Sequence, residues 1–89
     1  MYTVYIIANK NGLYYKGFTT NILQRLEAHN SGMSNYTFGK GPWELIFIKT
    51  FEDKSDALKF EKMLKRQNKK YLDWLIQSDK NELAGGRLG

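Results

Sequence analysis

A glutamate in the second half of the sequence stands where a helix is expected to be apolar. With about 100° between successive residues, a helix predicted over residues 56–66 has an apolar arc that consists of Ala57, Leu58, Phe60 and Leu64. Glu61 lies about 40° from Ala57 and therefore inside this arc. A buried carboxylate without a partner costs on the order of several kcal/mol, so Glu61 needs either a partner or a function.

Two interpretations of Glu61 are open. In the first, it forms an ion pair with Lys65, one helical turn later, or lies at the edge of a loosely packed face. In the second, it is a metal ligand or a catalytic carboxylate at the floor of a cleft. A single carboxylate suits Mg²⁺, which binds few protein ligands and keeps several water molecules and phosphate oxygens.

An arginine and the only histidine stand four residues apart in an earlier predicted helix. Arg25 and His29 therefore share one side of that helix. They border its apolar stripe, which consists of Ile22, Leu23 and Leu26. Arg25 is either a solvated helix residue or a clamp that holds a phosphate through paired hydrogen bonds. His29 is either a surface or cap residue or part of a site, and one histidine alone cannot form a zinc site.

Two tyrosines lie in the two strands of a predicted hairpin, and the length of its turn decides whether their side chains share a face of the sheet. Tyrosine fits pleated surfaces, so packing alone explains Tyr5 and Tyr15 equally well. A two-residue turn of Asn11 and Gly12 puts them on opposite faces of the sheet. A three-residue loop with Gly12 in a bulge position pairs Tyr5 with Gly17 and puts both tyrosines on one face.

These side chains are carried by six predicted elements and a loop-rich stretch. β-branched and aromatic runs predict strands at 2–8, 13–18 and 43–51. Capping residues and apolar periodicity predict helices at 22–29, 56–66 and 68–77. Asn21 with Gln24 resembles a capping box, and Ser55 is a plausible N-cap for the second helix. Residues 31–42, with glycines, serines and the only proline, indicate a loop.

The order β-β-α-β-α-α, with a hairpin first, predicts an α+β fold. We expect a small three-stranded antiparallel sheet, made of the N-terminal hairpin plus one later strand and flanked by helices. The 89 residues allow one domain, which we place at 1–80. Residues 81–89, with their glycines, are expected to form a flexible C-terminal tail.

Composition excludes several classes of function. The chain has no cysteine, so it has neither disulfides, a thiolate zinc site nor a cysteine nucleophile. No apolar run approaches the roughly 18 residues that span a bilayer, and the start does not resemble a signal peptide. The absence of cysteine is compatible with a reducing cytosol, and we expect a cytoplasmic monomer without a membrane partner or a small-molecule cofactor.

The net charge of +5 favours a polyanionic partner, and it is concentrated in one segment. Residues 54–70 hold seven basic and two acidic side chains, a difference of +5 that equals the charge of the whole chain. The basic residues are Lys54, Lys59, Lys62, Lys65, Arg66, Lys69 and Lys70. Such a segment is either a phosphate-binding surface or a solvated helix face.

Several of these residues together resemble the GIY-YIG nuclease superfamily, and in particular its small single-domain bacterial branch. Thr3-Val4-Tyr5 and Tyr15-Lys16-Gly17 stand where that superfamily has its two tripeptides, about ten residues apart in a strand-turn-strand setting. The resemblance covers about residues 2–70. It continues through 21–32, Tyr36-Thr37, Pro42-Trp43-Glu44-Leu45 and the helix that carries Glu61.

The resemblance implies metal-dependent hydrolysis of DNA phosphodiester bonds, in repair or processing of DNA. By position, Glu61 would hold a single Mg²⁺, for which Mn²⁺ could substitute, and Arg25 would brace the scissile phosphate. Tyr5 and Tyr15 would position or deprotonate the attacking water, and His29 would line the site. Gly17 would let the backbone approach the substrate. The residues expected to contact DNA are Gly17, Arg25, Tyr36, Lys62, Lys65, Arg66 and Lys69.

Departures from the family pattern leave alternatives open. Thr3 replaces a glycine, and Lys16 replaces an aliphatic residue and should face away from the cleft. Phe18 stands where some members carry a lysine, and Asn68 is a candidate for an asparagine that others use. An active endonuclease therefore competes with a catalytically weak or inactive nucleic-acid-binding module on the same scaffold. A protein-interaction domain is the third hypothesis.

Overall fold

Three antiparallel strands and three helices make up the part of the chain that the computed structural model describes, residues 1–83. In chain order the elements are β1 (Tyr2–Ala8), β2 (Tyr14–Thr19), α1 (Ile22–Asn30), β3 (Glu44–Phe51), α2 (Lys54–Lys65) and α3 (Lys69–Gln77). The sheet order is β2-β1-β3, so the first strand is central. The α+β class and the order β-β-α-β-α-α are confirmed.

The hairpin adopts the register that puts both tyrosines on one face. Tyr5 lies opposite Gly17 and Ile7 opposite Tyr15. Gly12 has a φ of 81°, in the left-handed region that glycine enters without steric cost. The turn is closed by Asn9, whose side-chain oxygen accepts hydrogen bonds from the backbone N–H groups of residues 11 and 13. The two-residue turn, which was the other open interpretation, is therefore excluded.

The sheet separates two groups of buried side chains, and the helices divide between them. On one face, β1 contributes Val4 and Ile6 to a core that it forms with α2, α3 and Phe47 of β3. On the other face, Tyr5 and Ile7 pack with Trp43 and with the apolar stripe of α1. Because side chains alternate along a strand, Tyr5 and Tyr15 face α1, whereas Lys16 lies opposite Ile6 and faces away, as expected.

The second helix begins earlier than predicted, and its apolar arc is narrower. Its N-cap is Asp53, whose carboxylate accepts from the Ser55 N–H at 2.9 Å, so the N-cap predicted at Ser55 is wrong. Ala57 and Leu64 are fully buried, but Leu58 is 41% exposed, so the predicted arc is wrong at Leu58. The core accepts one stripe of this helix, and Leu58 lies about 100° away from its centre at Ala57.

Two asparagines fix helix starts. Asn21 caps α1 by accepting from the Gln24 N–H at 3.1 Å, but its own N–H donates to Oγ1 of Thr19, so only half of the predicted capping box forms. Asn68 caps α3 by accepting from the Tyr71 N–H at 2.9 Å. Its side-chain oxygen is thereby committed to the helix start, so Asn68 is a poor candidate for the asparagine that some family members use.

The segment after α3 is docked on the sheet as far as residue 83. The Asn81 amide donates to the carbonyl oxygens of Ile46 and Ile76, at 2.9 and 3.0 Å. The Glu82 N–H donates to the carbonyl of Ile48 at 3.0 Å. These bonds cover the free edge of β3, so the prediction of a flexible tail from residue 81 is wrong for residues 81–83. The rest of that predicted tail, 84–89, lies outside the described residues.

Candidate active site

Tyr5 is the centre of the candidate site. It is 1% exposed, in the middle of the central strand. Its phenol oxygen lies 2.8 Å from Nε2 of His29 and accepts a hydrogen bond from Nε of Arg25 at 3.3 Å. Arg25 and His29 stand one turn apart on α1, so the helix presents both to the same oxygen. The structure thus brings together a tyrosine of the predicted hairpin and two residues of the predicted first helix.

Gly17 makes room for the Tyr5 phenol. A Cβ atom added at Gly17 would collide with the hydroxyl and the ring of Tyr5, which lies directly across the ladder. The packing of Tyr5 thus explains the glycine, and the approach of the Gly17 backbone to a substrate stays a prediction. The ring of Tyr5 occupies the space that a side chain at position 17 would need, because the two residues are paired on adjacent strands.

His29 is buried, and its second ring nitrogen is also bonded. It is 1% exposed, so the interpretation as a surface residue is wrong. Its Nδ1 lies 2.8 Å from Oγ1 of Thr37, a buried residue in the loop between α1 and β3. Sequence reasoning gave Thr37 no role. Its place in the Tyr36-Thr37 pair of the family resemblance was the only signal in the sequence, and the fold of residues 31–42 brings it to the histidine.

Tyr15 covers the buried pair and connects it to the surface. Its ring centre lies 4.9 Å from that of His29 and 6.3 Å from that of Tyr5, with tilted planes. On its other side it contacts Tyr36, at 5.4 Å between ring centres. Tyr36 is 52% exposed, and the Lys40 ammonium lies 4.2 Å from its ring centre. The aromatic side chains therefore form a continuous wall from the sheet to solvent.

Burial and the arginine set the protonation states in the site. Burial raises the pKa of Tyr5 to about 12, although the Arg25 hydrogen bond and charge act in the opposite direction. The Tyr5 hydrogen bond raises the pKa of Arg25, and the Tyr15 phenol adds to that effect. Burial, and then the charge of Arg25, lowers the pKa of His29. At neutral pH the site therefore holds a neutral phenol, a cationic guanidinium and a neutral imidazole.

Glu61 is the only one of the five predicted catalytic residues that lies on α2. Its side chain is 18% exposed, and Lys65 Nζ lies 3.4 Å from its Oε2. The ion-pair interpretation is therefore realised. Its charge is also among the causes that raise the pKa of Tyr5, which brings the carboxylate into the electrostatic neighbourhood of the site. Both interpretations of Glu61 are compatible with this position.

The chemistry of the donor set fits a hard divalent cation. Within residues 1–83, no three histidine, cysteine, aspartate or glutamate side chains are grouped closely enough to hold a metal ion. One partly buried carboxylate is enough for Mg²⁺, which retains water and takes phosphate oxygens as ligands.

The basic residues predicted to contact DNA differ in what their side chains already bind. Lys62 and Arg66 are exposed on α2 and at its C-cap. Lys65 is paired with Glu61. The Lys69 ammonium donates to the Gly12 carbonyl at 3.0 Å and lies 4.9 Å from the ring centre of Tyr14. Lys69 thus links the hairpin turn to α3, so its ammonium is less available for contacts with DNA than predicted.

A groove open to solvent runs along α1 beside the site. Arg25 forms part of its wall together with Gln24 and Ser31, and Thr19 lines it from the end of β2. The groove gives the Arg25 guanidinium access to a ligand from outside.

In residues 1–83 no helix has the length and apolarity needed to cross a membrane.

Comparison with known proteins identifies the family of the chain. Residues 1–74 match the model of the GIY-YIG catalytic domain family. A UPF0213 protein of Aeromonas salmonicida is 35% identical over 77 residues, which cover 85% of this chain and 57% of that relative. The chain thus spans little more than half the length of that protein. UPF0213 protein BH0048 of Halalkalibacterium halodurans is 38% identical over 74 residues, which cover 82% of this chain and 79% of the relative.

A solved structure shares the fold. The solution NMR structure of UPF0213 protein BH0048 from Bacillus halodurans has a TM-score of 0.60 and 31% sequence identity, and the match covers 92% of this chain and 89% of that chain. The family match supports a nuclease role. On these grounds the chain belongs to the GIY-YIG catalytic domain family, among relatives that are small UPF0213 proteins.

Proposed function

We propose that the protein is a Mg²⁺-dependent endonuclease that hydrolyses phosphodiester bonds in DNA. One observation carries the proposal: the guanidinium of Arg25, the Tyr5 phenol and the His29 imidazole are joined by hydrogen bonds beneath Tyr15. This arrangement provides a guanidinium cation that can bind a phosphate and a hydrogen-bonded path that can accept a proton from the attacking water. We place the activity in repair or processing of DNA, in a cytoplasmic monomer without a small-molecule cofactor.

Arg25 is the group that binds the scissile phosphate. Its Nε donates to Tyr5 and the guanidinium also interacts with the Tyr15 phenol, but with five N–H groups it keeps donors for phosphate oxygens. Lys62 and Arg66 supply further positive charge for the DNA backbone, and Tyr36 offers an exposed ring next to Tyr15. Binding is therefore expected to weaken steeply with salt, because phosphate contacts release counterions.

The tyrosines and the histidine handle the proton that the attacking water must lose. Tyr15 is partly exposed and faces the cleft, so it positions the water. The proton passes to the Tyr5 oxygen as the phenol proton moves to Nε2 of His29, which becomes an imidazolium. The water oxygen forms a bond to phosphorus, the bond from phosphorus to the leaving oxygen breaks, and solvent protonates that oxygen.

Glu61 would hold the metal ion. When bound, Mg²⁺ supplies charge neutralisation for the phosphate on which negative charge accumulates. The ion pair with Lys65 is compatible with this role, because an exposed lysine can withdraw when a divalent cation enters.

The test is cleavage of supercoiled, branched and single-stranded DNA with Mg²⁺, with Mn²⁺ and with chelator. We expect metal-dependent nicking by the wild type and none by Glu61→Gln, while DNA binding persists. Glu52→Gln, at an exposed position outside the site, serves as the matched control and should cut like the wild type. Cleavage that survives in chelator or in Glu61→Gln would contradict the assignment of Glu61.

The second candidate function is DNA binding without useful turnover, and a specific observation favours it. The charge of Glu61 is already balanced by Lys65, and Phe18 stands where some relatives of this family have a lysine. This candidate predicts salt-dependent binding on every substrate and no metal-dependent product. A protein without salt-dependent DNA binding would instead fit the hypothesis of a protein-interaction domain.

A further inference from the structure

Thr37 is held in a buried position that the proposed binding of a phosphate does not explain. It is 1% exposed, although it lies in the loop between α1 and β3. Its carbonyl accepts from Nε1 of Trp43 at 3.3 Å. Trp43 is itself bound to α1, since its backbone N–H donates to Oδ1 of Asn30 at 2.6 Å. The position of the threonine hydroxyl is therefore fixed from both ends of the loop.

The hydroxyl of Thr37 has one proton, and the surrounding groups decide where it points. Oγ1 lies 2.8 Å from Nδ1 of His29, and the Ser34 carbonyl oxygen, at 3.5 Å, is the other acceptor towards which the threonine proton can turn. A carbonyl oxygen can only accept a hydrogen bond. If the threonine proton is directed to Ser34, the threonine oxygen must accept from His29, so Nδ1 carries the imidazole proton.

With the imidazole proton on Nδ1, one chain of three hydrogen bonds forms in which each donor has an acceptor. Arg25 Nε donates to the Tyr5 oxygen, the phenol donates to Nε2 of His29, and Nδ1–H donates to Thr37. In the other tautomer, Nε2–H points at a phenol oxygen that already accepts from Arg25. The phenol proton then has no acceptor in this chain, which is costly for a buried group.

We propose that Thr37 is a positioning residue that holds His29 in the Nδ1-protonated tautomer, so that Nε2 is free to accept the proton of the Tyr5 phenol. A neutral imidazole has one donor and one acceptor nitrogen, and the partner of the first selects the role of the second. The tautomer is a property of the protein alone. Its effect on cleavage rests on the proposed nuclease function.

Nitrogen-15 NMR of the imidazole tests the tautomer directly. His29 is the only histidine of the chain, so protein without a histidine tag gives one imidazole pattern and needs no assignment. Above pH 7 we expect a protonated Nδ1 and an unprotonated Nε2 in the wild type. A wild type with the proton on Nε2 overturns the proposal, whatever the variants do.

Thr37→Val removes the hydroxyl at nearly constant volume, and Thr37→Ser retains it. We expect the imidazole proton to move towards Nε2 in Thr37→Val and to remain on Nδ1 in Thr37→Ser and in Thr20→Val, an exposed control. Backbone NMR spectra establish that each variant is folded. If Thr37→Val is folded and keeps the wild-type tautomer, the threonine does not set it and the proposal fails.

Cleavage kinetics supply the second readout. We expect kcat to fall about ten- to a hundredfold in Thr37→Val, with little change in KM, because general-base catalysis as a whole contributes about 10²–10⁴-fold. Thr37→Ser should restore most of kcat. An unchanged kcat in Thr37→Val overturns the positioning role. If the wild type does not cut DNA at all, the nuclease proposal fails, whereas the tautomer measurement still decides the role of Thr37.

Discussion

The phenol oxygen of Tyr5, in the central strand, lies 2.8 Å from Nε2 of His29, near the end of α1. This contact joins residues 24 positions apart and closes the sheet onto the helix. It places a neutral imidazole next to a buried phenol whose oxygen also accepts from Arg25. The consequences of this relationship can be measured one group at a time.

Removal of the Tyr5 hydroxyl should impair both stability and cleavage. Tyr5→Phe leaves Nε2 of His29 and Nε of Arg25 without their shared partner. We expect the free energy of unfolding to fall by about 1–3 kcal/mol and kcat to fall about 10²–10⁴-fold. Urea unfolding and cleavage assays measure the two effects. Tyr71→Phe, on α3, is the matched control, and an equal kcat for Tyr5→Phe and wild type would exclude Tyr5 from the proton route.

Gly17→Ala should destabilise the protein through Tyr5. The added methyl group collides with the phenol, and overpacking of this kind costs about 1–3 kcal/mol. The same substitution in a Tyr5→Leu background should cost less, because the ring is then absent. A double-mutant cycle from urea unfolding gives the coupling. If the two substitutions are additive, the close approach of Tyr5 to Gly17 does not explain the glycine.

His29 should make stability depend on pH below its ordinary pKa of 6.5. Its pKa is lowered in the folded protein by burial and by Arg25, so the unfolded chain binds the proton more tightly. Stability is therefore complete above about pH 6.5 and is lost as the pH falls towards the folded pKa. Unfolding free energies from pH 8 to 5 should show this slope in the wild type and a smaller slope in His29→Gln. Equal slopes would contradict the buried neutral state.

Arg25→Lys should separate phosphate binding from support of the phenol. Lysine keeps the positive charge but lacks the Nε–H that donates to Tyr5. We expect DNA binding to weaken only modestly and kcat to fall at least about tenfold, as for loss of one preorganised donor. Arg25→Ala should impair both. Full activity in Arg25→Lys would show that the charge alone is sufficient.

The basic residues should differ in their contribution to DNA binding. Lys62→Ala and Arg66→Ala each remove an exposed cation, so each should lower the slope of log K against log salt by about one. Lys69→Ala removes a cation that is bound to the Gly12 carbonyl, so it should change the slope less and lower the thermal stability instead. Binding titrations at several salt concentrations measure the slopes. An equal effect of all three would show that Lys69 is also free to reach DNA.

Much of the fold follows from local sequence. Alternating β-branched and aromatic residues define the strands, and Asn21 and Asn68 begin helices because their side chains replace missing backbone acceptors. The helical position of Glu61 within an apolar arc marked it for attention before any partner was known. These are properties of neighbours along the chain, and short-range geometry is enough to predict them.

The tertiary structure decided the questions on which the site depends. Local sequence allowed two hairpin registers, and a slip of one residue would have moved Tyr15 to the other face. Only the packing of α1 on the sheet buries His29 and gives it Tyr5 and Thr37 as partners. These contacts join residues far apart in the chain, so their energy is absent from any local pattern. The sequence by itself determined which elements form and which side chains could react, whereas long-range packing determined which of them meet.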